Sequence, residues 1–113
     1  MNIEFTVRAP PPRRTHPGRS ADRSSPNASA LFDVAAKIVA ETPERFPITG
    51  KTRLILRAAV PLPEYPDYST HDAVLEVLVD AGVLANERQN ERERTGLDST
   101  VATGYAIEIQ SVS

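Results

Sequence analysis

The sequence predicts an α/β domain of the α+β kind, with one mixed β-sheet of about four strands and two helices packed on it. Three observations predict this. Residues Asn2–Arg8 and Gly104–Gln110 alternate apolar with polar side chains at the period of a half-buried strand. Two stretches, ending near Thr42 and at Gly82, repeat apolar residues at helical spacing. The chain has 113 residues, enough for one modest core and a single domain, here 1–113.

The elements follow in order. In the opening strand Ile3, Phe5 and Val7 face one way, and Asn2, Glu4, Thr6 and Arg8 the other. Residues 9–26 hold Pro10-Pro11-Pro12, Pro17-Gly18, Pro26 and several Ser, so a long loop is expected there. Asn27 or Ser29 is placed to cap a helix reaching about Thr42. Leu31, Phe32, Ala35, Ile38 and Val39 lie on one face of it, and Pro43 is the stop. Lys51–Val60 reads as a strand, with Leu54, Leu56 and Ala58 on one side and Arg53, Ile55 and Arg57 on the other. Pro61, Pro63 and Pro66 force the next stretch to be extended.

Ser69 and Asp72 stand in capping-box spacing, with Asp replacing the usual Glu or Gln. Val74, Val77, Leu78 and Ala81 make an apolar stripe, widened by Leu75 and Val79. Gly82 falls where a left-handed residue ends a helix, with Val83 packing back. Asn86–Thr95 suits a polar, exposed edge strand. Gly104–Gln110 closes the chain with Tyr105, Ile107 and Ile109 inward. The expected order is β-α-β-α-β-β, with a helical crossover between two parallel strands at the start and an antiparallel hairpin at the end.

Composition narrows the function. There is no Cys, which excludes disulfides, zinc-thiolate sites and thiol nucleophiles. No apolar run approaches the ~20 residues of a membrane helix, and no signal-peptide pattern opens the chain, so a cytoplasmic protein is expected. Two isolated histidines, His16 and His71, give no Ser-His-Asp arrangement. His16 is expected to be exposed or to contact phosphate; His71 is expected on a helix surface.

Charge is segregated. Residues 8–26 carry five Arg and one Asp, whereas residues 62–98 carry nine acids and three Arg. Arg grips phosphate with a planar fork. Acids near a basic arm are one way to combine phosphate binding with divalent-cation binding. Opposite subunit surfaces or solvated faces are the alternatives. Glu64, Asp67 and Asp72 bracket the entrance of the second helix, and Glu87 follows its end. Glu87 meets Asp67 only if the chain after Gly82 folds back along the helix as a strand. Two or three such oxygen ligands on Mg²⁺ suit phosphodiester hydrolysis. For Asp72 alone, offsetting the helix dipole is a sufficient reason.

The stretch from Asp72 through Ala81-Gly82-Val83-Leu84-Ala85-Asn86-Glu87-Arg88-Gln89 resembles the RusA family of Holliday-junction resolvases. Those proteins carry an amphipathic helix ending in Ala-Gly, a short apolar step, and an acidic pair followed by a residue and Gln. More weakly, the opening strand, the Pro/Arg-rich loop, the first helix and the closing strand occur in the family order. The resemblance implies a RusA-like homodimer that binds four-way DNA junctions and cuts them with Mg²⁺, or Mn²⁺, in DNA recombination and repair. It implies Arg13, Arg14, Arg19 and Arg23 as nucleic-acid-binding residues. If such a protein cleaves, the candidate catalytic residues here are Asp67, Asp72 and Glu87, with Asp67 and Glu87 as metal ligands and Asp72 or His71 as a third.

The sequence departs from the family at the helix entrance, Asp-x-Asp-Asn-x-x-Lys. A gapless alignment puts Pro66, Asp67, Tyr68, Ser69, Thr70, His71 and Asp72 there. In the later acidic pair Asn86 replaces the first carboxylate, and Glu87 keeps the second. Three readings follow: a metal-dependent junction endonuclease with a rearranged site, an inactive DNA-binding dimer on the same fold, or a protein-interaction module.

Overall fold

The computed structural model describes residues 2–12, 25–59, 69–92, 96–97 and 104–111. They form one mixed sheet and two helices. Strand β1 is Asn2–Val7, β2 Thr52–Ala58, β3 Asn90–Arg92, β4 Gly96–Leu97 and β5 Tyr105–Ser111. Helix α1 is Pro26–Glu41 and α2 is Ser69–Asp80, with 3-10 turns at Pro43–Arg45 and Glu87–Gln89.

The spatial order is β1-β5-β2-β3, with β4 also on β2. Strand β5 runs antiparallel to β1 and to β2, so β1 and β2 are parallel to each other but separated by it. Both β3 and β4 pair with β2 in parallel and share its remaining edge, Asn90 opposite Thr52 and Leu97 opposite Ala58. The sheet is therefore mixed and has four strand positions.

The expected terminal hairpin does not form. Helix α2 carries the chain back to the start of β2, so the strand that follows must run parallel to β2. The closing strand, Tyr-Ala-Ile-Glu-Ile, then takes the interior position between β1 and β2, where Tyr105, Ala106, Ile107 and Ile109 are all buried. The polar stretch Asn90–Arg92 is left for the edge, as its charges predict.

One sheet face holds Leu54, Leu56, Ala58, Tyr105, Ile107, Ile109 and Val7, and these share a core with Ala28, Leu31 and Ala35 of α1 and Val74, Val77 and Leu78 of α2. Both helices thus cover that face. The other face carries Arg53, Arg57, Glu108 and Glu4, with an Arg57–Glu108 ion pair at 3.1 Å.

Helix α1 starts earlier than Asn27 or Ser29. Ser25 is its cap, its side chain accepting from the Ala28 N–H at 3.2 Å, and Pro26 opens the helix with a pre-set φ. Phe32, expected inward, is 41% exposed. Helix α2 ends as the sequence requires. Gly82 has φ +87°, the Val83 N–H donates to the Leu78 carbonyl at 2.9 Å, and the Gly82 N–H donates to Val79 at 3.1 Å. This is a Schellman arrangement, and Val83 is buried beneath it.

Candidate nucleic-acid interface

The layout of the sheet decides which loops meet. Val7 stands opposite Tyr105, Tyr105 opposite Ala58, and Ala58 opposite Leu97. This row is one end of the sheet. The chain leaves it after Val7 into the Arg-rich stretch, leaves it after Ala58 toward Asp67 and α2, and returns to it before Tyr105.

Both helices point their N-termini toward that end. The C-terminal end of α2 is fixed at the opposite one: the Ile48 N–H donates to the Val83 carbonyl at 2.9 Å, Leu84 bridges to Ile48, and Ile48 lies just before Thr52, the first residue of β2. Helix α1 runs alongside α2 in the same direction, since Val39, near its C-terminal end, lies by Gly82. The positive ends of two helix dipoles therefore face the end of the sheet where the segment with five Arg begins and ends.

The carboxylates are divided between the two ends. Asp72 is half-buried in the first turn of α2, at the end just described. Glu87 is exposed in the 3-10 turn that leads into β3, beside the start of β2. The chain does fold back as a strand after Gly82, but Glu87 lies at the beginning of that return. Helix α2 has 12 residues, and at about 1.5 Å per residue it holds the two carboxylates on the order of 15 Å apart. Within one copy the structure does not bring Glu87 and Asp72 together. Asp67, Glu64, His16, Arg13, Arg14, Arg19 and Arg23 lie outside the described residues, as does most of the expected loop 9–26. Among the described residues no group of three His, Asp or Glu is placed to hold a metal ion.

His71 is not on a surface. It is 1% exposed, and the run from Thr70 to Leu78 is buried except for Asp72. Helix α2 is covered on more than its apolar stripe, so Glu76 is buried as well, and Thr70, His71, Asp72 and Glu76 each have an interaction partner, through a hydrogen bond, ion pair, ring contact or electrostatic interaction. Apolar spacing alone does not reveal this, because burial beyond the stripe depends on tertiary packing.

The residues around Glu87 have a local structural task. The Asn86 side chain accepts from the Arg88 N–H at 2.7 Å, and Gln89 Oε1 accepts from the Asn86 N–H at 2.9 Å. Gln89 Nε2 donates to the Ile48 carbonyl at 2.8 Å. The Asn-Glu-Arg-Gln spacing is thus a capping box that also fastens the turn to the segment before β2. No helix among the described residues is long and apolar enough to cross a membrane. No family model matches the chain, and no curated protein does.

Proposed function

We propose that the protein binds the sugar-phosphate backbone of branched DNA at the Val7–Tyr105–Ala58–Leu97 end of its sheet, as a RusA-like binding protein. One observation carries the reading: the segment holding Arg8, Arg13, Arg14, Arg19 and Arg23 begins and ends where both helix N-termini point. Arg forks and helix N-terminal N–H groups are both recurrent protein partners of a phosphate diester. Binding of this kind follows charge and backbone shape, not base sequence, and it weakens steeply with salt. A homodimer suits a four-way junction, whose two-fold symmetry matches two equivalent basic surfaces.

A second reading is metal-dependent cleavage of the junction. Asp72 favours it, because it lies in the first turn of α2 at the phosphate-facing end, five residues beyond Asp67 in the chain. The described residues do not by themselves make a site for Mg²⁺ or Mn²⁺, so no step of the proposal passes through one.

Labelled four-way junction and linear duplex, incubated with Mg²⁺, Mn²⁺ or EDTA and run on native and denaturing gels, separate the readings. The proposal expects a junction-selective shift in all three conditions and intact strands. Paired, metal-dependent nicks establish the cleavage reading in its place. No shift with either DNA overturns both and leaves a protein partner.

A further inference from the structure

We propose that the outer edge of β1 is a self-association surface, pairing antiparallel with β1 of a second copy about a two-fold axis at Phe5. Among the described residues β1 pairs with β5 alone, and its other edge, six residues long, is unpaired by any of them. The two edges of the sheet differ. Next to β2, the outer strand is short and polar, Asn90-Glu91-Arg92 followed by the two residues of β4, which is how a sheet guards against further pairing. Strand β1 has no Pro, Lys or Arg within it and no bulge in its pairing with β5.

The occupant is a second copy because the strand complements itself. With Phe5 opposite Phe5, Ile3 falls opposite Val7 on the helix-covered side, and Glu4 falls opposite Thr6 on the other. Asn2 then lies opposite Arg8. No like charges meet. An axis at Glu4 instead sets two carboxylates directly against each other, which cross-strand pairing disfavours. Ile3 and Phe5 are only half-buried in one copy although they face the core, and the Phe5-centred pairing covers both. The inference rests on the strand edge and not on DNA binding, so either can fail without the other.

Equilibrium sedimentation of the full chain without DNA tests it, together with two opposed substitutions at Thr6, an exposed residue facing away from the helices. Thr6→Glu sets one carboxylate against Glu4 in each of the two symmetric pairs and is expected to weaken the dimer about tenfold. Thr6→Lys, which turns the same pairs attractive, is expected to tighten it. The chain has no Cys, so introduced thiols report the register. Under mild oxidation Glu4→Cys mixed with Thr6→Cys should cross-link, and neither variant alone should. A chain that stays monomeric at high micromolar concentration, or Thr6 variants that shift the dimer in the same direction, overturns the proposal. Cross-linking of Glu4→Cys with itself overturns the register.

Discussion

Gly104→Ala should be the most damaging of the alanine substitutions at Gly50, Gly82 and Gly104. Gly104 has φ +74°, and a Cβ built there meets the Val7 carbonyl oxygen at 1.9 Å and the Val7 C and Arg8 Cα at 2.9 Å. All three are backbone atoms, so no side chain can swing aside. Left-handed strain costs an alanine about 1 kcal/mol. Relieving the clash means lifting the start of β5 from the end of β1. That loses a strand pairing, about 1 kcal/mol, and part of the burial of Tyr105 and Val7, about 1–2 kcal/mol more. Tyr105 is 0% and Val7 1% exposed. The sum is about 3–4 kcal/mol, or a fall of about 12–16 °C in Tm for a domain of this size. Gly50 and Gly82 are internal controls. Both have positive φ, but a Cβ at Gly50 meets nothing within 4 Å, and one at Gly82 meets only Val39 Cγ1 at 4.0 Å. Their Ala variants should lose about 4 °C each. Thermal unfolding followed by circular dichroism measures all three. A Gly104→Ala protein that melts with the two controls would refute the close approach of β5 to β1.

Tyr105→Phe should be neutral or raise Tm by up to about 4 °C, because the buried hydroxyl has no hydrogen-bond partner among the described residues. Burial pushes the Tyr105 phenol above its usual value. The stability it confers is therefore complete below the unfolded value of about 10 and is lost as pH rises beyond it; urea titrations at alkaline pH should show a shallower loss in Tyr105→Phe. Gln89→Ala removes the hydrogen bonds to the Ile48 carbonyl and the Asn86 N–H and should cost about 1–2 kcal/mol by chemical denaturation. Glu87→Ala, at an exposed position, should change stability by less than about 0.5 kcal/mol and leave junction binding equal or tighter. If that variant instead abolishes cleavage by an active wild type, Glu87 belongs to a reactive site.

The elements could be read because each rests on short-range physics. The alternation of Asn2–Arg8 and Gly104–Gln110, the Pro43 stop and the Gly82 cap each reflect a local steric or burial rule. Start points moved by a few residues where two local signals competed, as when Ser25-Pro26 outweighed Asn27 and Ser29 as the opening of α1. The neighbours of each strand could not be read. Whether the last strand pairs with the one before it or inserts between β1 and β2 depends on long-range burial, and the apolar content of Tyr105–Ile109 settled it.

For the site, the described ends of the basic segment, after Val7 and at the start of α1, lie at the end of the sheet toward which both helix N-termini point. Glu87 and Asp72 stand apart within one copy, because the return after Gly82 starts at the far end of α2. Motif spacing records sequence distance, and a helix of 12 residues converts it into a separation too long for a shared ion. Gln89, which helps to carry the resemblance, is occupied in holding the Glu87–Gln89 turn to Ile48.

The most direct test of backbone binding at the Val7–Leu97 end of the sheet is the affinity for a labelled four-way junction measured by anisotropy across a salt series. The wild type should show a linear fall of log affinity with log salt, and Arg13→Ala with Arg14→Ala should flatten that slope by about one to two units. An unchanged slope in the double variant, or binding that does not respond to salt, would contradict the account.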